Sequence, residues 1–455
     1  MCERQPRGSP AVLVTDGREV TRTVTFGELA DDSSRLANAL RGLGVGPGDR
    51  IGIVLPQRSE TAVAHVAAAK LGAVAVPLSI LFGPDALDMR LRDAEVRVVI
   101  GEGEPLERIA ELGLDVPLID VDRDLEQLLG DASPRFEPVS TTPDTPALLV
   151  YTSGTTGPPK GALHGHRVLP GHLPGFELSH DHFPHDGDVI WTPADWAWIG
   201  GLYDVLMPAL RHGRPVVAHR GGRFDPERAF DLIGRIGVRN VFMPATALRL
   251  MRRHDPGTPV SLRTVASGGE TVGVETADWC RDRLGVRLNE FYGQTEANLL
   301  VGNCSAWEAR PGSMGLPYPG HEVRVVVAAD EVDVAVLVLL RLVAGVQPAV
   351  ADLRRCRLLV PPVAEERDRV AVDPRADLAV DDAHLVTGIR EPHRAGARLP
   401  GGAGRGRLRL LRRPRRRRHL ERGPSHRTGP DRGVPDPSSR RLARSRDRLA
   451  GRGAG

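Results

Sequence analysis

The chain has 455 residues, of which 41% are hydrophobic, and this is enough for roughly two or three domains with a large buried core. That size excludes a small disulfide-stapled scaffold, and the hydrophobic content excludes a wholly disordered protein. The net charge of +3 is unevenly distributed, because residues 401–455 contain 18 arginines, no lysine and 4 acidic residues.

Cysteine spacing and apolar segments favour a cytoplasmic protein. The four cysteines are far apart and form no CxxC pair, which is typical of reduced thiols rather than of a zinc site or a disulfide framework. The N-terminal segment has no apolar stretch like that of a signal peptide. The longest apolar run, residues 334–346, is too short to span a bilayer, so we expect no membrane association.

From about residue 10 to 325 the sequence predicts alternating helices and short strands. Each helix shows apolar residues at helical spacing, and each strand is a short apolar run bounded by turn residues. Repeated alternation of this kind predicts an α/β fold with mostly parallel sheets flanked by helices. In chain order the predicted helices are 25–43, 59–71, 225–236 and 274–284, and the predicted strands are 48–55, 73–78, 147–150, 238–242 and 286–291.

The chain changes character near residue 327. The last aromatic residue is Tyr318, although aromatic side chains normally dominate core burial. Residues 327–400 match no recognisable pattern, and residues 401–455 form an Arg-, Gly- and Pro-rich tail of the kind usually found in disordered segments. We therefore expect the C-terminal third to lack a cooperative fold.

The sequence YTSGTTGPPK over residues 151–160 predicts a phosphate-binding loop directly after a buried strand. Its glycines let the backbone approach an anion closely, its hydroxyl and N–H groups can donate to phosphate oxygens, and Lys160 adds a positive charge. The loop differs from a Walker A motif, because the GxxxxGK[ST] spacing is absent. A flexible surface loop is the plainer alternative, and the position after a buried strand makes it the weaker one.

This loop resembles the phosphate-binding signature of the adenylate-forming, or AMP-binding, superfamily, which includes acyl-CoA synthetases, luciferases and peptide-synthetase adenylation domains. Three other segments are similar to family motifs in the same order: ASGGET (266–271) to the adenine-binding turn, NEFYGQTE (289–296) to the core motif, and RPGSMGLPYPG (310–320) to the next loop. TPADWAWIGGL (192–202) is most similar to the acetyl-CoA and medium-chain acyl-CoA synthetase branch. The resemblance covers residues 10–326 and implies an adenylation domain that is incomplete at its C-terminal end.

The resemblance implies a nucleotide site with Lys160, Thr295 and Glu296 as catalytic residues. Thr295 would contact the α-phosphate, and Glu296 and Thr155 would hold Mg²⁺, for which a hard carboxylate is the right ligand type. Tyr292 would stack on adenine and Glu270 would accept from its exocyclic amine. The other nucleotide contacts that it implies are Thr152, Ser153, Gly154, Thr156, Gly157, Gly268, Gly269, Thr271, Glu290, Phe291, Gly293 and Gln294.

Some of these segments also have plainer interpretations. Gly-Gly-Glu-Thr before a predicted helix fits an ordinary helix N-terminus. The resemblance places Trp196, Trp198 and Gly200 at the acyl pocket, yet the two tryptophans fit a packed core equally well. A group of histidines follows the phosphate loop without a nearby cysteine or acid to complete a zinc set, so we interpret it as structural or pocket-side. These histidines are His164, His166 and His172.

The resemblance implies a two-step reaction that uses ATP, Mg²⁺ and CoA. A carboxylate attacks the α-phosphorus of ATP to give an acyl-adenylate and pyrophosphate, and the CoA thiol then displaces AMP. Acetyl-specific relatives have Trp before Gln-Thr-Glu, whereas this chain has Gly293. We therefore expect an open acyl pocket that favours a short- or medium-chain acid over acetate, with small molecules as partners and no specific nucleic acid.

The C-terminal part departs from the family. The family's ribose-binding TGD, its GR hinge and its catalytic lysine are missing, since residues 387–389 read TGI and no lysine follows Lys160. Shifted by one base, the codons for residues 406–428 can encode DGYVYYVGRADDVISSAGHRIGP, which resembles the hinge and the start of the family's C-terminal domain. We infer a frameshifted or degenerate region and an impaired activity. The alternatives are a non-catalytic protein with a nucleic-acid-binding tail and an aryl-CoA ligase.

Overall fold

The computed structural model describes residues 2–152, 159–308, 310, 312–327 and 334–337. Expectations for the Arg-rich tail, for most of the segment after 327 and for the centre of the phosphate loop lie outside these residues.

Strands in the described ranges are short, and most begin directly after a turn or a helix. Their bounds are β1 Pro10–Thr15, β2 Val20–Thr25, β3 Arg50–Val54, β4 Val74–Pro77, β5 Val96–Gly101, β6 Leu118–Asp120, β7 Pro146–Thr152, β8 Lys160–Gly165, β9 Ile190–Trp191, β10 Val216–His219, β11 Asn240–Phe242, β12 Thr264–Gly268, β13 Leu288–Gln294, β14 Asn298–Gly302, β15 Leu316–Pro317, β16 Arg324–Val327 and β17 Val334–Leu337.

Helices alternate with these strands through most of the described chain. A 3₁₀ turn, Cys2–Arg4, precedes β1, and a π-helical segment, Leu202–Leu206, joins two short helices into one run. The helix bounds are α1 Phe26–Gly42, α2 Ser59–Leu71, α3 Pro84–Asp93, α4 Gly103–Ala110, α5 Leu125–Gly130, α6 Val168–Ser179, α7 Ile199–Gly201, α8 Met207–Arg211, α9 Pro226–Ile236, α10 Ala245–Arg253 and α11 Val274–Leu284.

Local chemistry explains where the predicted helices begin and end. Thr25 and Glu28 form a capping box at the start of α1, since the Thr25 hydroxyl accepts from the Glu28 N–H at 3.1 Å and the Glu28 carboxylate accepts from the Thr25 N–H at 2.7 Å. The carboxylate of Asp225 caps α9, and Gly237 ends it in the left-handed conformation. The predicted helices 59–71 and 274–284 have these same bounds in the structure.

The described strands form two mixed, mostly parallel sheets and one separate pair, which confirms the predicted α/β fold. The six-stranded sheet has the order β6-β5-β3-β4-β7-β8, and only its β7–β8 hairpin is antiparallel. The nine-stranded sheet has the order β15-β14-β13-β12-β11-β9-β10-β1-β2, with parallel pairing from β13 to β1 and antiparallel pairing at both ends. The pair β16–β17 reaches residue 337, which is past the predicted change near 327.

The topology places the candidate segments together at strand ends. The candidate segments at the carboxyl ends of β9, β12 and β13 lie at one edge of the nine-stranded sheet; they are residues 192–202, 268–271 and 293–296. Ligands in open α/β sheets bind outside the carboxyl ends of the strands. A fourth segment, residues 153–159, connects the two strands of the β7–β8 hairpin in the other sheet.

Candidate active site

The β7–β8 hairpin positions both ends of the predicted phosphate loop. Thr152 and Lys160 are cross-strand partners, Thr152 is half-buried and Lys160 is exposed. The Tyr151 hydroxyl donates to Asp93 Oδ2 at 2.6 Å, and burial together with Asp93 raises the pKa of Tyr151. The remaining predicted loop contacts lie outside the described residues; they are Ser153, Gly154, Thr155, Thr156 and Gly157.

The predicted adenine turn requires glycine at Gly268. A Cβ atom on Gly268 would overlap the ring of Phe291, its partner on β13. Gly269 has φ +88, in the left-handed region that favours glycine. Phe291 stacks on Phe242 from the end of β11, with ring centroids 5.6 Å apart. The glycines therefore let the turn pass directly over an aromatic pair.

The far side of this turn is fixed by two side chains. Arg249 on α10 donates to the Glu270 carboxylate at 2.7 Å and to the carbonyl oxygen of Thr271 at 2.9 Å. Glu290 on β13 accepts from the N–H of Val272 at 3.0 Å. The predicted contacts Glu270, Thr271 and Glu290 are thus brought together, and Arg249 was not found by the sequence analysis.

The predicted core motif forms the end of β13 and the turn before β14. Tyr292 and Thr295 are half-buried, whereas Gln294 and Glu296 are exposed. Burial and the negative charge of Glu296 both raise the pKa of Tyr292, so these two side chains are close. A Cβ atom on Gly293 would overlap the carbonyl group of Asn298, and the two strands are irregularly paired at this point.

The histidines after the phosphate loop lie beside the core motif. His164 on β8 is in polar contact with the backbone of Thr295, and burial lowers its pKa. Burial also lowers the pKa of His166, and it lowers that of His172 to about 3, with a smaller contribution from His164. No group of three or more histidine, cysteine or acidic side chains among the described residues is arranged to hold a metal ion.

The two tryptophans of the predicted acyl pocket have different environments. Trp196 is 0% exposed and packs within the main hydrophobic core. Trp198 is 44% exposed and contacts the ring of Phe82 edge-on, with centroids 5.9 Å apart. Gly200 lies against Phe242, since a Cβ atom there would be 2.9 Å from Phe242 Cε1. Gly200 is therefore the member of this set that directly adjoins the aromatic pair beneath the glycine turn.

Four residues of the candidate site were not predicted from the sequence, and they lie on four different elements. Phe242 ends β11, and Arg249 is on the helix that follows it. Asp204 and Asn298, which are buried behind Gly200 and Gly293, join the helical run after β9 to the start of β14. The rule that ligands bind at the carboxyl edge of a parallel sheet could have identified Phe242, but nothing in the sequence marks the other three.

The fold and the placement of these segments define an α/β protein whose candidate site lies at the carboxyl edge of a parallel sheet. The model of the AMP-binding enzyme family matches residues 2–336, and the chain belongs to that family. This confirms the resemblance found in the sequence, and the match extends beyond residue 326, where the sequence analysis placed the end of the domain.

Relatives and solved structures agree with this assignment. The chain is 33% identical over 327 residues to the acetyl-coenzyme A synthetase of Bacillus subtilis (strain 168), covering 66% of this chain and 55% of the relative. It is 28% identical over 335 residues to the uncharacterized acyl-CoA ligase YtcI of the same organism, covering 70% of this chain and 61% of the relative. The crystal structure of the Brucella canis acyl-CoA synthetase is similar, with a TM-score of 0.67 and 28% identity. The match covers 72% of this chain and 63% of that structure.

These matches cover only part of the length of each relative. The chain spans between about half and about three fifths of the length of the first curated relatives that it matches.

Within the ranges that the structure describes, none of the helices is both long enough and apolar enough to cross a membrane.

Proposed function

We propose that this protein activates a short- or medium-chain carboxylic acid with ATP, forming an acyl-adenylate and pyrophosphate, and that CoA is the acceptor in a second step. The observation that carries the proposal is the convergence of the glycine turn 268–271 and the core motif 290–296 at one sheet edge, in a chain of the AMP-binding family. The polar contact between His164 on β8 and Thr295 supports placing the β7–β8 hairpin beside them.

The proposed roles follow from charge and position. Lys160 and the N–H groups of the loop would stabilise the negative charge that develops on the phosphates during attack. Thr295 would contact the α-phosphate, and Tyr292 would stack against adenine next to Glu270. The reaction requires positioning and charge stabilisation but no covalent protein nucleophile.

Glu296 suits a role in holding magnesium. It is an exposed carboxylate on a turn, close to Tyr292, and in this proposal it faces the phosphates of a bound nucleotide. Magnesium is commonly held by one or two carboxylates together with substrate phosphates rather than by an all-protein cage. Glu296 would therefore supply one ligand, and the metal would neutralise phosphate charge. Thr155, the second proposed ligand, is outside the described residues.

We propose that Gly293 leaves the acyl pocket open to chains longer than acetate. Each additional buried methylene contributes about 0.8 kcal/mol to binding. The carbonyl group of Asn298 occupies the position of a Cβ atom at Gly293, so a tryptophan would require the 295–297 turn to move. Comparing acids on the unaltered protein therefore tests chain length more cleanly than the Gly293→Trp substitution does.

We also propose that residues 10–326 form the adenylation domain and that thioester formation by this chain is impaired. The proposal is supported by the missing TGD, hinge and lysine in the C-terminal sequence. The nucleotide sequence across codons 320–430 tests the frameshift, because homologous sequence in a neighbouring frame is expected there. A chain with the frame restored should gain hexanoyl-CoA formation, and robust turnover by the present chain would contradict the impairment.

Calorimetric titration of the full chain with ATP and Mg²⁺ tests the site. Lys160→Ala and Glu296→Ala should each weaken ATP binding by roughly tenfold, since each removes a charge-assisted contact of about 1.4 kcal/mol. Glu275→Ala, which removes an exposed carboxylate on α11, is the matched control and should bind ATP normally. Unchanged affinity in both site variants would contradict the assignment. Pyrophosphate release with acetate, hexanoate and benzoate then ranks the acids.

A further inference from the structure

The segment predicted to line the acyl pocket leaves its sheet after a strand of only two residues. β9, Ile190–Trp191, pairs with β10 and β11, and the chain departs from the sheet at Thr192. Thr192 is 0% exposed, so its carbonyl group is shielded from water. A buried carbonyl oxygen beyond the end of its strand needs a donor from elsewhere in the fold.

Gln57 supplies this donor from the other sheet. It follows β3 of the six-stranded sheet and is buried. Its Nε2 donates to the carbonyl oxygens of Thr192 at 2.9 Å and of Ala194 at 2.7 Å, and its Oε1 accepts from the N–H of His219 at 3.3 Å. The side-chain amide therefore donates twice and accepts once, a combination that neither an ionised glutamate nor a methionine can reproduce.

A buried carboxylate keeps Gln57 and His219 next to each other. Arg58, the residue after Gln57, donates to Glu102 Oε2 at 2.5 Å, and Arg220, the residue after His219, forms an ion pair with Oε1 of the same carboxylate. Glu102 follows β5 of the six-stranded sheet, whereas Arg220 follows β10 of the nine-stranded sheet. The two sheets are therefore joined directly beside the amide by charge-assisted contacts, which hold Gln57 against the segment after β9.

The contact with Ala194 reaches the glycines of this segment. A Cβ atom on Gly201 would lie 3.1 Å from the Ala194 carbonyl oxygen, so the chain turns back closely against the oxygen that Gln57 binds. The preceding residue, Gly200, lies against the ring of Phe242. A shift of the Ala194 carbonyl group would therefore displace the part of the segment that adjoins the aromatic pair.

We propose that Gln57 is a positioning residue that fixes the 192–202 segment and thereby determines how tightly the acyl group binds. The inference rests on the proposed function and on the predicted place of this segment at the acyl pocket. Without the amide, two carbonyl oxygens lose their donor, and the segment would rearrange toward water where it leaves the sheet. The glycine turn 268–271 and the core motif 290–296 follow other strands, so nucleotide binding should persist.

Two ligands separate the acyl group from the nucleotide: sulfamoyladenosine and its hexanoyl derivative, a non-hydrolysable mimic of the acyl-adenylate. Calorimetric titration of the full chain with each gives the factor by which the hexanoyl group tightens binding. In Gln57→Met this factor should fall roughly fivefold, the scale of one net hydrogen bond, while sulfamoyladenosine binds unchanged. Gln57→Asn keeps an amide that is too short to reach both carbonyl oxygens, and its factor should fall by less.

Gln5→Met is the matched control. Gln5 also donates to a backbone carbonyl oxygen distant in sequence, that of Arg211 at 3.0 Å, but this contact does not involve the 192–202 segment. The control should therefore leave the affinity for both ligands unchanged. An undiminished hexanoyl factor in Gln57→Met, or an equal loss of affinity for both ligands, would overturn the inference.

Folding of the variants is measured by circular dichroism. If Gln57→Met does not fold, Gln57→Asn decides, and an undiminished factor there would overturn the inference. A Gln57→Asn chain that does not fold would also overturn it, because the residue would then be required by the whole fold. If the unaltered protein binds neither ligand, or gains nothing from the hexanoyl group, the proposed function itself fails.

Discussion

The Arg249 guanidinium donates a 2.7 Å hydrogen bond to the Glu270 carboxylate, and it also donates to the carbonyl oxygen of Thr271 at 2.9 Å. The carboxylate proposed to face adenine is therefore fixed by a fork-shaped donor that spans side chain and backbone. A flexible Glu270 would lose side-chain entropy on nucleotide binding, whereas this one is already ordered.

Replacing Arg249 with glutamine should weaken ATP binding by roughly three- to tenfold, because the turn loses two hydrogen bonds of about 1 kcal/mol each, partly replaced by water. Stability should change little, since both side chains of the ion pair are partly exposed. Calorimetric titration with ATP, with GTP as a comparison, measures the effect and any loss of base preference.

Arg252→Gln is the control for that substitution. Arg252 lies on the same helix and pairs with Glu275 at 2.9 Å, but it does not contact the glycine turn through that pair. Its loss should leave ATP affinity unchanged. An equal reduction in both variants would show that α10, rather than the Arg249 contact, determines binding.

Glu296→Gln should weaken ATP binding only when magnesium is present. The amide keeps the size of the side chain but removes the negative charge that a hard cation requires. In EDTA the variant and the unaltered protein should bind ATP equally, and with Mg²⁺ the variant should be several-fold weaker, on the scale of one charged contact of roughly 1–2 kcal/mol. A difference that persists in EDTA would contradict the role in holding metal.

Elements with local signals could be predicted well from the sequence. The capping box at Thr25 and the glycine after α9 mark helix ends, and the predicted helices agree with the structure to within about one residue there. Strand pairing could not be predicted, because alternation does not reveal which strands are neighbours. β9 is only two residues long, yet it lies between β10 and β11 in the centre of the nine-stranded sheet.

The candidate site was predictable as segments but not as contacts. The motifs at 268–271 and 290–296 are contiguous in sequence, so their resemblance to family motifs located them. Arg249, Asp204 and Asn298 act across distances of more than 20 residues, and their partners are fixed only by the fold. Nothing in the composition around Asp204 indicates that its carboxyl group would be buried against an amide.

Gly293→Ala should destabilise the protein by about 2–3 kcal/mol, since the added methyl group overlaps the carbonyl group of Asn298 and the strand pair must shift. Urea unfolding with a two-state analysis of the first transition measures the loss. Gly222→Ala is the control, because a Cβ atom there meets no atom within 4 Å and stability should be unchanged. An unchanged free energy of unfolding in Gly293→Ala would show that β13 and β14 separate easily.

His65→Leu should make the protein more resistant to acid. Burial lowers the pKa of His65 to about 4, below that of an unfolded histidine, so its contribution to stability is present above pH 6.5 and is lost as the pH falls toward 4. Leucine has no proton to bind, and the gain at pH 4 relative to pH 7 should be roughly 3 kcal/mol. Thermal unfolding between pH 4 and pH 7 measures the effect, and parallel stability curves for His65→Leu and the unaltered protein would contradict it.

Asp204→Asn should become more stabilising as the pH rises. The folded pKa of Asp204, about 8, lies above the unfolded value of an aspartate. The stability that the neutral carboxyl group contributes is therefore fully present below about pH 4 and is lost as the pH rises through 8. The amide does not ionise, so its advantage should grow by at least about 2 kcal/mol between pH 5 and pH 9. Asp188→Asn should show the opposite pH dependence of stability. Burial opposes ionisation of Asp188, but its hydrogen bonds with Arg263 outweigh this effect and lower the pKa. The stability advantage of the unaltered protein over Asp188→Asn should therefore shrink as the pH falls. Parallel curves for Asp204→Asn and the unaltered protein would show that the buried carboxyl group does not titrate in this range.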